Sequence, residues 1–175
     1  KQGIAIERLK ISEELDILSF NDQASVIKLI ADLSMQEKQY EQAIQYYKKY
    51  LEFTLDNHAD TYYRMASSYY ELGKYAEIIE PARKAIKYAE KPIENYYVIV
   101  MGSYYERKMY PEATKAVEDL VKVFPESTRW WSQLGMFYSL TEDYERALST
   151  MNVAYKNGML EKESHFKQLA QLFAT

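Results

Sequence analysis

Apolar positions along the chain fall on the spacing of one helix face, and the same arrangement returns again and again. The pattern is large, two residues, large, small, two residues, aromatic; about six residues later come a tyrosine, two residues, and a small or apolar residue. It reads Tyr62, Met65, Ala66, Tyr69 with Tyr75 and Ile78. It returns as Tyr97, Val100, Met101, Tyr104 with Tyr110 and Ala113, and as Trp131, Leu134, Gly135, Tyr138 with Tyr144 and Ala147. A degenerate copy upstream reads Ile27, Ile30, Ala31, Ser34 with Tyr40 and Ala43, and a final half copy reads Phe166, Leu169, Ala170, Phe173. The tyrosines at 40, 75, 110 and 144 are separated by 35, 35 and 34 residues. Positions i, i+3, i+4 and i+7 make one stripe of a helix, so each unit predicts a first helix, a short turn and a second helix.

Punctuation between the stripes agrees with that division. Gly73 suits a left-handed helix cap. Pro92 and Pro125 fall where a second helix should end, and Pro111 falls in a first turn, where its missing N–H costs little. Pro81 lies inside a predicted second helix and predicts a local bend. Small residues (Ala66 and Gly135 in first helices, Ala43, Ala113 and Ala147 in second ones) predict close approach of helix axes. Residues 4–19, with Ile4, Ile6, Leu9, Leu15 and Leu18 among charges, predict one more helix.

A unit of 34 residues with Trp131, Leu134, Gly135, Tyr138, Ala147 and Ala154 in these places resembles the tetratricopeptide repeat (TPR) family. The resemblance covers residues 24 to 175 and implies an all-α, right-handed superhelix of antiparallel helix pairs. On that reading the whole chain, 1–175, is a single array. Residues 1–23 trail from a preceding unit; 24–58, 59–93, 94–127 and 128–162 are full repeats; 163–175 is the first helix of another. Met101 at a usually small position and Ser34 at a usually aromatic one predict looser packing. The runs Asn95-Tyr96-Tyr97, Trp130-Trp131-Ser132-Gln133-Leu134, Ala154-Tyr155, Gly158-Met159-Leu160 and Gln168-Leu169-Ala170-Gln171-Leu172 further resemble bacterial TPR proteins associated with TonB energy-transduction systems. This narrower resemblance implies a periplasmic or membrane-anchored place in a Gram-negative envelope; without it the expectation is cytoplasmic.

Composition narrows the function. Among 175 residues there is no cysteine, which removes disulfides, thiolate metal sites and cysteine nucleophiles. A net charge of −4 disfavours a phosphate-backbone binder, so no nucleic-acid partner is expected. The longest uncharged stretch, Asn95 to Tyr105, is far short of the roughly 20 residues of a membrane helix, and no span is expected. With 18 tyrosines but only 5 glycines and 4 prolines, the chain predicts mostly helix. It starts at Lys1 with no initiator methionine or apolar leader, and the expectation is a trimmed or processed piece of a longer protein.

No reacting constellation is evident, and the chain reads as no enzyme, with no catalytic residue, metal site or cofactor. His58 and His165 stand about three repeats apart, too far to share a metal or a dyad. No phosphate-binding glycine loop and no nucleophile elbow occurs. The acidic pairs Glu13-Glu14 and Glu142-Asp143 read as solvated helix or turn surface.

The remaining candidate is a protein-binding groove. Tyr69, Tyr75, Tyr97, Tyr104, Tyr110, Tyr138 and Tyr144 occupy packing positions. In the TPR architecture the first helices line a concave groove with the face beside that stripe. This face includes Lys28, Asp32, Tyr63, Tyr70, Glu71, Asn95, Tyr105, Glu106, Arg129 and Met136. Tyr63, Tyr70 and Tyr105 are either ligand-facing aromatics or inter-repeat packing. Asp32 stands where a chaperone-type clamp for an acidic tail has asparagine, and Asn95 and Ile99 replace its basic pair, so that ligand is not expected. Tyrosines beside Glu71, Glu106 and Asp32 instead suit an extended Pro/Lys-rich segment, such as a TonB-like linker. The alternative is self-assembly into a homo-oligomer, a spacer joined through the open half unit at 163–175, where Phe166 and Phe173 lack a covering helix.

Overall fold

The computed structural model describes residues 2–14, 19–55, 57–160 and 162–173. Leu15 and Leu18, and the side chains of Ile4, Glu13, Glu14, Leu169 and Phe173, lie outside that description. Among the described residues all regular structure is helical. The chain divides into two compact units, Lys1–Lys91 and Pro92–Thr175.

The first unit holds α1 (Gln2–Glu14), α2 (Phe20–Gln36), α3 (Tyr40–Thr54), α4 (Ala59–Glu71), a 3-10 turn (Tyr75–Ile78) and α5 (Ile79–Tyr88). Each helix packs on the next in sequence. Ser19 starts α2: its Oγ accepts from the Asp22 N–H at 3.3 Å and donates to the Asp22 carboxylate at 2.6 Å. Ala31, Ala43, Ala66, Ala82 and Ala85 are sealed from solvent, and Ile27, Ile30, Tyr47 and Ile78 are buried as well. Each such aliphatic side chain contributes about 1.5–3 kcal/mol by leaving water.

The second unit holds α6 (Glu94–Glu106), α7 (Tyr110–Val123), α8 (Thr128–Leu140), α9 (Tyr144–Lys156) and α10 (Glu163–Phe173), again packed serially. Its core gathers Val117 and Leu120 of α7, Trp130, Leu134 and Phe137 of α8, Met151 of α9, and Leu172 of α10. Gly135 brings α8 close to α9: a Cβ there would stand 2.7 Å from both Met151 Cγ and Sδ.

Four turns inside the helix pairs are built alike. Lys38, Gly73, Lys108 and Glu142 all take left-handed backbone, with φ of 60°, 68°, 58° and 60°. In each, the next N–H returns to a carbonyl five residues back: Gln39 to Ser34, Lys74 to Tyr69, Met109 to Tyr104, Asp143 to Tyr138, at 2.8–2.9 Å. This closes the orphan carbonyls of the first helix and turns the chain sharply enough for the second to pack back on it.

Three expectations change in detail. The bend at Pro81 takes the form of a new helix start. The chain makes a 3-10 turn from Tyr75 to Ile78, and α5 begins at Ile79, which places Pro81 in the first turn, where no N–H is needed. Trp130, not Trp131, is the fully buried indole. It donates to Glu94 Oε1 at 2.8 Å, while the half-buried Trp131 donates to the Pro125 carbonyl at 2.8 Å. α8 packs on both α7 and α9, so its buried arc is wider than a single stripe. Ser34 is tightly held: its Oγ donates to the Ile30 carbonyl and accepts from the Gln42 amide, both at 2.6 Å.

Candidate functional site

The candidate residues sit on first helices, and each unit presents its own set. In the first, Lys28 and Asp32 lie one turn apart on α2, so the lysine ammonium reaches the carboxylate at 2.9 Å. The same carboxylate accepts from the buried Tyr47 hydroxyl at 2.8 Å, and an Arg64 guanidinium nitrogen stands 3.9 Å away. Arg64 also donates to Asp60 at 2.7 Å. Asp32 is therefore the meeting point of α2, α3 and α4. Burial, followed by the hydrogen bond to Asp32, pushes the Tyr47 phenol far above the ordinary tyrosine range.

At the far end of α4, Tyr70 and Glu71 are exposed. The Tyr70 ring meets Tyr75 edge-on across the turn, with centroids 5.4 Å apart. Glu71 accepts from the Tyr40 hydroxyl of the preceding repeat at 3.2 Å; desolvation and that carboxylate raise the Tyr40 phenol. Tyr63 is half-buried on the same helix.

In the second unit, Tyr105 and Glu106 occupy the same places on α6 as Tyr70 and Glu71 on α4, and both are exposed. The Tyr105 ring lies between Tyr110 across its own turn, at 6.0 Å, and Phe137 of the next first helix, edge-on at 5.8 Å. Tyr105 therefore packs between repeats and still keeps 44% of its surface in solvent. Asn95 is exposed at the start of α6. On α8, the Arg129 guanidinium covers the Trp130 ring at 4.4 Å, and Met136 is exposed near the C-terminal end. Tyr144, expected in the packing stripe, is 45% exposed at the start of α9.

The helix stripe did not single out several contributors. Arg64 and Tyr47 join Asp32 through contacts between helices, which a one-helix periodicity cannot register. Gln168, Gln171 and Leu172 of α10 join Met136, Ser139 and Tyr144 around an open cleft of about 370 Å³. The exact 35-residue correspondence of Leu172 with Phe137 was the available sign. Among the described residues no helix is long and apolar enough to cross a membrane, and no group of three His, Asp or Glu side chains converges on one point.

Helix hairpins repeated at 34–35 residues, with the candidate residues on their first helices, define a helical-repeat protein. The tetratricopeptide repeat family model matches residues 29–57 and 59–92. MamA from Desulfovibrio magneticus RS-1 has a similar fold over 99% of this chain and 86% of its own, with a TM-score of 0.65 and 15% identity. YrrB, described as a TPR protein with an unusual peptide-binding site, aligns over 97% of this chain and 84% of its own, with a TM-score of 0.65 and 19% identity. The C-terminal part of a TPR-containing protein from Cytophaga hutchinsonii covers 82% of this chain and 56% of its own, at 0.59 and 19%. No curated protein matches the sequence. In fold, the chain is a TPR-type array of helix pairs.

Proposed function

We propose that this protein is a non-catalytic scaffold that binds another protein through the exposed faces of its first helices. The observation that carries the reading is the Tyr-Glu pair at the same repeat position in both units, Tyr70-Glu71 and Tyr105-Glu106, with both tyrosines partly in solvent. Tyrosine offers contact area and a hydroxyl at low entropic cost, and the neighbouring carboxylates favour a cationic partner. YrrB is described as having a peptide-binding site, which fits this use of the fold.

The finer reading is an extended Pro/Lys-rich segment, of the kind found in a TonB-like periplasmic linker, bound by a protein of the Gram-negative envelope. Its support is the sequence resemblance together with these Tyr-Glu pairs. Proline stacks on tyrosine and lysine pairs with Glu71 and Glu106. Exposed ion pairs are worth only about 0–1 kcal/mol each, so binding is micromolar or weaker. A fluorescent Pro/Lys-rich peptide titrated into wild type should give saturable, salt-sensitive binding that Tyr70→Ala with Glu106→Gln weakens. Identical isotherms would place the binding surface elsewhere.

Self-assembly is the second reading, favoured by the exposed edge-on pair Tyr155–Phe166, 6.2 Å apart, at the last described helix. Light scattering across concentration separates the two, since a chain that stays monomeric removes assembly.

A further inference from the structure

The cleft between α8 and α10 has a filled counterpart one repeat earlier. At the end of α6 the Tyr105 ring fills the space between Tyr110, at the start of its own second helix, and Phe137, on the next first helix. Moving along by one repeat turns Tyr110 into Tyr144, Phe137 into Leu172, and Tyr105 into Ser139. The tyrosine wall is kept, the phenylalanine wall becomes a leucine, and the ring between them is lost. What remains is the cleft of about 370 Å³, bounded by Met136, Ser139, Tyr144, Gln168, Gln171 and Leu172. An apolar cavity of roughly 150 Å³ already accepts benzene, so one aromatic ring fits with room to spare.

The lining also says which ring. Leu172 is buried, and Met136 and Tyr144 are exposed. Ser139 Oγ already donates to the Gly135 carbonyl at 3.0 Å, which leaves its oxygen to accept. Gln168 on α10 adds an amide that can both donate and accept. Among the described residues no carboxylate, lysine or arginine lines the cleft, so a charged side chain would enter without compensation from them.

We propose that this cleft is a socket for an aromatic side chain, tyrosine above all, carried by an extended partner segment. The partner supplies in trans the ring that Tyr105 supplies in cis one repeat earlier. The inference deepens the scaffold reading and rests on it, because it names the anchor residue of the bound segment.

The test uses the full chain and the capped peptide acetyl-Gly-Ser-Tyr-Ser-Gly-amide, with leucine or alanine in place of the tyrosine as controls. Amide chemical shifts at residues 136–144 and 168–172 report binding. The tyrosine peptide should shift these residues and bind at least fivefold more tightly than the leucine peptide, with the alanine peptide inert. Ser139→Tyr should fill the socket from within, raise the melting temperature and weaken the tyrosine peptide at least tenfold. Met136→Ala removes one wall without filling the space and should weaken it severalfold, which keeps the test decisive if Ser139→Tyr folds poorly. Equal shifts with the three peptides, or unchanged binding in both variants, would overturn the socket. Binding of the Pro/Lys-rich peptide with no response to the tyrosine peptide would overturn the socket alone and leave the scaffold standing. Loss of both responses would remove both.

Discussion

Gly135 offers a stability test whose sign depends on one neighbour. In the middle of a helix, Gly→Ala ordinarily gains about 1 kcal/mol. Here the added Cβ would stand 2.7 Å from Met151 Cγ and Sδ, about 1 Å inside the 3.5–4.0 Å optimum for carbon contacts. Met151 is fully buried and cannot swing into solvent. Overpacking of this kind costs about 1–3 kcal/mol, so Gly135→Ala should be net destabilising by about 0–2 kcal/mol.

Met151→Ala alone should cost about 2–5 kcal/mol through the cavity it leaves. In that background the clash is gone, and the next atom, the Ala147 carbonyl oxygen, is 3.7 Å away, an ordinary contact. Gly135→Ala should then stabilise by about 1 kcal/mol, which makes the coupling in the double-mutant cycle about 1–3 kcal/mol. Urea melts followed by tryptophan fluorescence report on this region, because both tryptophans, Trp130 and Trp131, lie on α8. Gly135→Leu should lose more than the alanine in either background. The same effect of Gly135→Ala with and without Met151 would refute the packing argument.

Two further outcomes follow from the turns and from Asp32. Lys108 holds a left-handed conformation that costs a side chain about 1–2 kcal/mol, while glycine loses about 0.5–1 kcal/mol in unfolded-state freedom, so Lys108→Gly should stabilise by about 0.5–1 kcal/mol in a urea melt. The Tyr47 phenol is raised in the fold, so its contribution is complete below the ordinary tyrosine pKa of about 10 and is lost as pH climbs above it. Tyr47→Phe should therefore cost about 1.5–3 kcal/mol at pH 7, through the lost bond to Asp32, and a smaller amount near pH 11. Urea midpoints at the two pH values measure the difference.

The helix pairs were legible because they rest on short-range rules. A stripe at i, i+3, i+4, i+7 needs only its own helix, and the tyrosines at 40, 75, 110 and 144 each open a helix or a helical turn. Pair contacts between helices were not legible to the same degree. The stripe marks Trp131 as the packing residue, but α8 is covered on two sides and Trp130 becomes the buried indole. Asp32 reads as a groove carboxylate on α2, yet Lys28, Tyr47 and Arg64 surround it from three helices. The left-handed turn residue was readable at Gly73 by residue type; at Lys38, Lys108 and Glu142 only the repeat position identifies it.

That contrast bears on how a repeat protein acquires a site. A repeat fixes the backbone and the walls, and it asks every unit for the same side chain at the same place. Tyr70 and Tyr105 both answer that demand, and Ser139 does not. Where the repeat is obeyed, the ring satisfies its neighbours from within, as Tyr105 does against Tyr110 and Phe137. Where it is broken by a smaller residue between apolar walls, apolar surface is left facing solvent at Met136 and Tyr144. In this fold a binding site is therefore sought where a side chain is missing from a recurring repeat geometry, and on the socket proposal the departure at Ser139 carries more functional information than the matches around it.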